Sequence, residues 1–238
     1  MRPDHIAELL HPFLSDDRRL TADDLDHIST YIDLLLRWNA RINLTAVRDP
    51  EQIVTRHFGE SLFAARHLFP GGRAALQGRV RAAREHGALA PEAISLADLG
   101  SGAGFPGLPI KLWAPDISLT LIESNHKKAA FLREVIRTLT LTDVNVFPAR
   151  AEALADVSFD VVALRAVERF DTILPIAASL VAPGGRLALL IASSQLPQAH
   201  LRLPAFGWSE PVPIPLSHSR SLLVGQRTDG PQASSPNQ

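Results

Sequence analysis

Hydrophobic residues in the first third of the chain recur at the spacing of an α-helix. Within Asp23–Trp38 the apolar positions repeat every three or four residues, and Thr21 stands where a helix N-cap would. The same reading predicts a second helix over about Asp49–Leu68. Residues 73–93 are rich in Ala and Arg, as expected for an exposed helix or a mobile insertion. We therefore predict an N-terminal helical region, residues 1–93, packed on the core that follows.

From residue 94 onwards, short apolar runs alternate with amphipathic stretches. The runs have the length and composition of buried parallel strands, and Lys127–Leu139 has one apolar helical face. This alternation predicts a doubly wound, mostly parallel α/β sheet over residues 94–227. Two late segments separated by a short polar turn predict an antiparallel C-terminal hairpin, and three prolines make its first member an edge strand. Residues 228–238 hold few apolar groups and are predicted to be disordered. The strand runs are ISLADLG, SLTLIE, VNVFPA, FDVVALRA and RLALLIA, and the hairpin segments are WSEPVPIPL and SRSLLVGQ.

The composition excludes several kinds of site. The 238 residues include no cysteine, which excludes disulfides, Cys-ligated metals and a thiolate nucleophile. No apolar run approaches the roughly 18 residues of a membrane span, and the N-terminus lacks signal-peptide features, so we expect a cytoplasmic protein. A net charge of −1 argues against binding nucleic acid through overall basicity. Residues 37–150 nevertheless carry 15 Lys+Arg against 10 Asp+Glu, which indicates either a surface for a polyanion or scattered solvated charges.

A glycine-rich loop, DLGSGAGFPG, follows the first predicted strand at Asp98–Gly107. Glycines between a buried strand and a helix allow the backbone to approach a ligand closely. Gly102, Gly104 and Gly107 also satisfy the G-x-G-x-x-G pattern, which dinucleotide enzymes and S-adenosylmethionine (SAM) methyltransferases share. The loop therefore predicts a nucleotide-type ligand and leaves its chemistry open.

Two carboxylates and the hairpin bear on that choice. Asp98 stands at a strand end where dehydrogenase loops are usually apolar, and it could face the amino group of a methionine moiety. Glu123 ends the next strand, where a carboxylate can accept hydrogen bonds from the ribose of either cofactor, unless it is only a solvated acid. An antiparallel final strand is typical of methyltransferase sheets. The methyl donor is thus favoured over a nicotinamide cofactor.

Several further motifs occur in a fixed order. They are Trp38-Asn39, Asn43-Leu44-Thr45, Arg48-Asp49-Pro50, Arg56-His57, GSGAGFPGLP, Leu121-Ile122-Glu123-Ser124, Lys127-Lys128, Phe131-Leu132, Arg150-Ala151-Glu152 and Arg165-Ala166. With these motifs the chain resembles, over residues 20–227, the RsmG (GidB) family of small-subunit rRNA guanine-N7 methyltransferases. The resemblance implies a Rossmann-like class I methyltransferase fold with a seven-stranded sheet.

The resemblance also implies a reaction and its partners. SAM would be the methyl donor, S-adenosylhomocysteine the product, and N7 of a guanine in 16S rRNA near the decoding centre the acceptor. We expect a monomer that acts on 16S rRNA or the small ribosomal subunit without a metal or a membrane. Arg165, at the mouth of the pocket, would orient the guanine. The expected cofactor-binding residues are Asp98, Gly100, Ser101, Gly102, Gly104, Phe105, Glu123, Ala151, Glu152 and Arg165. The expected RNA contacts are Arg56, His57, Lys127 and Lys128, although solvent is an alternative for the two lysines.

Methylation at guanine N7 suits what the chain contains. N7 carries a free lone pair, so positioning can suffice and no general base is needed. Methylation at pyrimidine C5 needs a cysteine nucleophile, which is absent. Amino-group methyltransferases usually have an acid or Asn followed by two prolines after the fourth strand, whereas this chain has Arg165-Ala166-Val167. An arginine there can contact guanine O6 or a flanking phosphate.

The chain departs from the family pattern in three places. Residues 73–93 are an insertion, Glu60 stands where the family commonly has Asp, and Ile191-Ala192-Ser193 replaces an expected Leu-Lys-Gly. The absent lysine keeps open a noncatalytic RNA- or ribosome-assembly factor on a methyltransferase fold. An NAD(P)-dependent oxidoreductase is a further hypothesis, disfavoured by Asp98 and by the lack of a recognisable hydride-transfer motif.

Overall fold

One β-sheet forms the centre of the computed structural model, which describes residues 1–14, 20–70, 72, 93–154, 156–165 and 170–228. The strands are β1 (Ser95–Leu99), β2 (Ser118–Ile122), β3 (Val144–Phe147), β4 (Phe159–Arg165), β5 (Val181–Ala192), β6 (Phe206–Trp208), β7 (Val212–Pro213) and β8 (Arg220–Arg227). Across these described residues, seven strands follow the order β3-β2-β1-β4-β5-β8-β6, and β7 pairs with β8 outside that path. The first five strands pair in parallel, whereas β8 runs antiparallel to β5.

The strand order reverses between β1 and β4, and this reversal positions the site. Open α/β sheets bind ligands at such a point, outside the carboxyl ends of the strands. Leu99 of β1 pairs with Ile122 of β2 and with Leu164 of β4, so the three strands end level with one another. The residues that follow them therefore emerge together into one crevice.

The helices cover both faces of the sheet. The first α-helix has Pro at its start, and the second begins with a capping box in which Thr21 and Asp24 exchange hydrogen bonds. This cap agrees with the sequence prediction. The helices are α1 (Pro3–Leu10), α2 (Ala22–Asn39), α3 (Pro50–Ile53), α4 (Glu60–Leu68), α5 (Gly107–Trp113), α6 (His126–Thr138), α7 (Phe170–Ser179) and α8 (Leu196–Arg202), with a π-helix over Val54–Gly59.

The π-helix replaces the middle of the continuous helix that the sequence predicted up to Leu68. Such turns occur frequently at functional sites, and this one contains Arg56 and His57. It also packs tightly, because a Cβ on Gly59 would lie 2.6 Å from ring carbons of Phe13. The segment that follows α1 therefore holds the π-helix against the rest of the molecule.

The N-terminal helices share a hydrophobic core with the sheet. One buried cluster joins Ile6, Tyr31 and Leu62 of that region to Leu108 and Phe131 of the sheet-covering helices. A second cluster fills the other face, between β4, β5 and α7. Full burial of one such side chain contributes about 1.5–3 kcal/mol. The helices before β1 thus form a layer on the sheet, called the N-terminal layer below.

The α/β sheet predicted from the sequence is confirmed, with two differences at its end. The first member of the C-terminal hairpin is only the two-residue β7, because its prolines cannot donate to a ladder. The short strand β6 was not predicted. Most of the predicted insertion, at 73–92, and the predicted tail, at 229–238, lie outside the described residues. No helix in the described part of the chain is both long and apolar enough to cross a membrane.

Candidate active site

The loop after β1 occupies the crevice that the strand order creates. Gly100 and Gly104 have φ angles of 72° and 87°, which favour glycine. Among the described residues, no atom lies within 4 Å of a Cβ built on Gly100, so this backbone faces open space. A Cβ on Gly104 would instead collide with the Tyr31 hydroxyl and with Leu108. One end of the loop is thus open to a ligand, and the other is fixed by packing on the N-terminal layer.

Glu123 holds the loop from the end of β2. Its Oε2 accepts a hydrogen bond from the Gly102 amide at 2.8 Å, and its Oε1 accepts one from the Asn125 amide at 2.7 Å. The residue is 8% exposed and lies on the wall of the crevice. Each carboxylate oxygen has a second acceptor position. Glu123 can therefore hold the loop and still accept a hydrogen bond from a ligand.

The crevice encloses a cavity of about 680 Å³, a usual size for a small-molecule site. One wall is the glycine loop with the end of β2, and the other is the segment after β3 together with α7. The sequence-predicted residues on these walls are Gly100, Glu123, Lys128, Ala151, Glu152 and Arg165. The other predicted cofactor residues do not line the cavity: Asp98, Ser101, Gly104 and Phe105 are buried, and Gly102 is partly exposed.

Asp98 lies beneath the loop. It does not face the cavity, whereas the sequence analysis expected it to face a ligand. It is fully buried, and its Oδ2 accepts a hydrogen bond from the Gly107 amide at 3.0 Å. Its Oδ1 has no hydrogen-bond partner in the described part of the chain. Burial raises the pKa of Asp98 to about 7. Ser101, also buried, donates to the Asp98 carbonyl at 2.9 Å, so both residues brace the loop from below.

Phe105 is also packed behind the cavity wall. It is 4% exposed, and its ring stacks on Tyr31 and on His57 with centroid distances of 5.4 and 4.9 Å. The Arg165 guanidinium lies 5.4 Å from the ring centroid, within the range of a cation–π contact. In this structure Phe105 supports Arg165, whereas the resemblance implied a direct cofactor contact.

Arg165 leaves the end of β4 and is held by the N-terminal layer. Its Nη1 donates to the Arg56 carbonyl at 2.9 Å, and its Nη2 donates to His57 Nδ1 at 3.1 Å. Glu60 Oε2 lies 3.8 Å from Nη1. The Arg165 side chain is only 12% exposed, and burial lowers its pKa, but an arginine stays charged at neutral pH. It is a fixed cation on the cavity wall.

His57 is buried, whereas the sequence analysis placed it among the expected RNA contacts. It is 7% exposed, and its Nε2 lies 2.8 Å from the Thr45 hydroxyl. Because Arg165 can only donate, Nδ1 is the acceptor and the proton lies on Nε2. Burial, followed by the nearby positive Arg165, lowers the pKa of His57 to about 3. His57 is therefore neutral and acts as a support for Arg165.

The asparagine and threonine motifs of the sequence support this histidine. Asn39, at the end of α2, donates to the Thr45 carbonyl at 2.9 Å and accepts from the Thr45 amide at 3.1 Å. Thr45 in turn contacts His57, which contacts Arg165. Motifs that are far apart in the sequence therefore form one chain of contacts that ends on the cavity wall.

The other predicted RNA residues lie on the surface near the cavity. Asn125 caps α6 by accepting from the amides of Lys127 and Lys128 at 3.0 and 3.2 Å. The Lys127 side chain is exposed, while Lys128 is half-buried and reaches the cavity wall. Arg56 is also exposed. Three basic side chains are thus available at the surface of this region.

Sequence reasoning missed Arg220, at the start of β8. The strand register places Arg220 directly opposite Ala192, the position where an expected lysine is absent. Its Nη2 is bonded to Glu60 Oε1, so Glu60 lies between Arg220 and Arg165. Only the antiparallel pairing of β5 and β8 brings these residues together, and no short-range pattern indicates it.

Comparison with known proteins identifies the family. The model of the GidB family, described as rRNA small subunit methyltransferase G, matches residues 24–75 and 86–205. The chain belongs to this family. A relative from Xanthomonas axonopodis pv. citri (strain 306), named "Ribosomal RNA small subunit methyltransferase G", is 35% identical over 219 residues, which cover 87% of this chain and 92% of the relative. A relative of the same name from Halorhodospira halophila (strain DSM 244 / SL1) is 43% identical over 171 residues, covering 72% of this chain and 71% of the relative.

The solved structures agree with a methyltransferase fold. The ribosomal protein L11 methylase from Lactobacillus delbrueckii subsp. bulgaricus superposes with a TM-score of 0.50 and 18% identity, over 67% of this chain and 83% of that one. The Rossmann-like class and the family resemblance are therefore both confirmed, and this GidB family member is a methyltransferase. Its family implies SAM as the donor. The open backbone at Gly100 and the acceptor oxygens of Glu123 suit such a ligand.

Proposed function

We propose that this GidB family member transfers the methyl group of SAM to N7 of a guanine in 16S rRNA near the decoding centre. The observation that carries the proposal is the position of Arg165, a fixed cation on the same cavity wall as the open glycine backbone and Glu123. A noncatalytic assembly factor has no need for a cation held beside a donor cavity. Family membership also argues against the oxidoreductase hypothesis.

The donor side of the site is built from the glycine loop and the facing segment. When bound, SAM supplies an electrophilic methyl group. The open Gly100 backbone admits the ligand, and Glu123 can accept hydrogen bonds from its ribose hydroxyls. Ala151 and Glu152 form the opposite wall. Asp98 acts at one remove, because it holds the Gly107 amide beneath the loop.

The acceptor side needs orientation and no proton transfer. Guanine N7 attacks through its own lone pair, so a general base has no task. Two observations support this view: both ring nitrogens of His57 are hydrogen-bonded, and Asp98 is buried beneath the loop. Arg165 can donate to guanine O6 or to a flanking phosphate and so hold the base in line. We further propose that the chain acts as a cytoplasmic monomer, without a metal, on 16S rRNA or the small subunit.

A direct methylation assay tests the proposed function. Small subunits and naked 16S rRNA are taken from a strain that lacks its own GidB-family enzyme, and each is incubated with the purified chain and SAM. Reverse transcription after N7-specific strand cleavage should then map one methylated guanine, and only when SAM is present. Binding of SAM and of small subunits without any N7 methylation would instead support the assembly factor.

Replacing Glu123 by glutamine should weaken SAM binding by at least tenfold. The substitution removes a charged acceptor, and hydrogen bonds to charged groups contribute about 1.5–3 kcal/mol. In the native chain both Glu123 oxygens accept from backbone N–H groups. In the variant the glutamine NH2 group would face one of those N–H groups, and two donors cannot bond to each other. Isothermal titration calorimetry with SAM measures the change. Glu134→Gln is the matched control, because Glu134 bonds the Trp38 indole and lies on α6. Equal affinities for the two variants would reduce Glu123 to a structural acid.

Removing Lys127 and Lys128 together should weaken RNA binding in a salt-dependent way. If both contact phosphate, the slope of log affinity against log salt should fall by about one to two. SAM affinity should change little for Lys127→Ala alone, because, of the two lysines, only Lys128 lines the cavity. The control removes the same charge from later in α6, with Arg133→Ala and Arg137→Ala, which are both exposed. If removing the two lysines leaves the salt slope unchanged, or if the control variant changes the slope more, the lysines contact solvent and not phosphate.

A further inference from the structure

Glu60 lies between two arginines at the carboxyl edge of the sheet. Its Oε1 is bonded to Arg220 Nη2, and its Oε2 lies 3.8 Å from Arg165 Nη1. The Glu60 side chain is 3% exposed; burial raises its pKa, and the two arginines oppose that rise. His57, the fourth member of this cluster, is neutral. The two guanidinium groups therefore share the one carboxylate that contacts them both. The buried Asp98 acts on Arg165 electrostatically, without a hydrogen bond to it among the described residues, so the pairing of the two positive charges is incomplete.

An incompletely paired cation in a partly buried cluster is costly unless a further partner approaches it. Glu60 Oε2 has no hydrogen bond from the described residues, so the carboxylate is hydrogen-bonded to Arg220 and lies only at ion-pair distance from Arg165. Arg220 is 20% exposed, against 12% for Arg165. An arginine carries five N–H donors, and Glu60 takes one from Nη2. Arg220 is thus partly exposed and keeps N–H donors that no hydrogen bond from the described residues occupies.

The sheet places both arginines at the same edge. Arg165 pairs with Leu190 on one side of β5, and Arg220 pairs with Ala192 on the other side, two residues further along. Residues opposite each other in an antiparallel pair project from the same face of the sheet. Arg220 therefore projects from the same face of the sheet as Ala192, whose methyl group carries no charge. It places a second positive charge beyond Arg165 along this edge.

We propose that Arg220 is a second substrate-orienting cation, and that Glu60 holds it beside Arg165 so that both guanidiniums can bind RNA oxygens, at guanine O6 or at a flanking phosphate. Glu60 is then a positioning residue. The planar fork of arginine suits both kinds of oxygen. This inference rests on the proposed function, since it concerns the acceptor of the same reaction.

The test compares Arg220→Gln and Arg220→Lys with Arg227→Gln. Arg227 is the matched control, because it lies at the other end of β8 and donates to the Val181 carbonyl. Arg220→Gln should lower kcat/KM for the small subunit or its rRNA at least tenfold, with the SAM dissociation constant within twofold of the native one. Arg220→Lys should recover part of that loss. Arg227→Gln should keep native kinetics.

The salt dependence of RNA binding separates the two kinds of oxygen. A phosphate contact should appear as a smaller salt slope for Arg220→Gln together with a raised KM. A contact to guanine O6 should lower kcat and leave the slope unchanged. If Arg220→Gln fails to fold, Glu60→Gln provides the second variant. It keeps an oxygen acceptor for Arg220, which should preserve the fold. Its amide lacks the negative charge that positions Arg220, so kcat/KM for the RNA substrate should still fall.

Two failures are distinguishable. Native kinetics in a folded Arg220→Gln variant would overturn the inference and make the Glu60–Arg220 pair a purely structural bridge. The same holds if Arg227→Gln shows an equal loss, or if only the thermal unfolding midpoint falls. A native chain that binds SAM and methylates no guanine would remove the proposed function itself, and the inference with it.

Discussion

Replacing Arg165 by alanine should slow methyl transfer at least tenfold, which corresponds to about 1.4 kcal/mol of transition-state stabilisation. The guanidinium is a fixed cation on the cavity wall, held by the Arg56 carbonyl and His57 Nδ1 and supported by the Phe105 ring. Because these supports hold it in one orientation, its loss should remove oriented hydrogen bonds to the base as well as a charge. Single-turnover methylation of small subunits with saturating SAM measures the effect, and the SAM dissociation constant separates an acceptor role from a donor role.

The controls must allow for lost stability, since Arg165 also joins β4 to the N-terminal layer. Arg186→Ala removes a half-buried arginine of similar structural type, which donates to the Leu68 carbonyl at 3.0 Å and lies near the Phe69 ring. It should lower the thermal midpoint and keep the methylation rate. Arg165→Lys should retain the charge but not the two-pronged contact, so an intermediate rate is expected. A folded Arg165→Ala variant that methylates at the native rate would contradict the assignment.

The parts of the fold that depend on local pattern could be predicted from the sequence. The run FDVVALR is a parallel strand whose apolar residues 161–164 are continuous and buried, and it ends at Arg165 as the pattern indicated. The capping box at Thr21 and the apolar face of α6 are local in the same sense. Gly100 and Glu123 reach the crevice because parallel strands place their carboxyl ends together. The positions of these residues could be predicted from hydrophobic periodicity and the expected strand order alone.

Other residues of the site could not be predicted, because tertiary packing decides their role. In the sequence His57 is predicted to be a basic surface residue beside Arg56. In the structure it lies in the π-helix, contacts Thr45 and is buried. Phe105 lies within the glycine-rich loop in sequence, but the aromatic rings of the N-terminal layer cover it. Arg220 enters the cluster only through the register of β8 on β5. Periodicity specifies which face of an element is buried and is silent on which neighbour covers it.

The Asp98 carboxyl should make folding stability fall as the pH rises from about 4 to about 7. Burial raises its pKa from an ordinary value of 3.8 to about 7 in the folded chain. Between those two values the folded state keeps a proton that the unfolded chain has released, so unfolding releases a proton and stability declines with increasing pH. Above about pH 7 both states are ionised and the full penalty is present, about 4 kcal/mol for a difference of roughly three pKa units. The Gly107 amide and the positive Arg165 limit this penalty, whereas the negative Glu123 adds to it.

Asp98→Asn removes this titration and keeps an oxygen that can accept from the Gly107 amide. The absolute stability of the Asp98→Asn variant is not informative, because the asparagine NH2 group is a buried donor without an acceptor at this site. The readout is the difference in unfolding free energy between native and variant chains, from urea titrations at half-unit steps between pH 4 and pH 8.5. That difference should fall steadily from pH 4 to about pH 7, to the native chain's disadvantage, and then level off. A difference that stays constant over this range would mean that Asp98 is already ionised at pH 4 in the folded chain, held so by the Gly107 amide and Arg165.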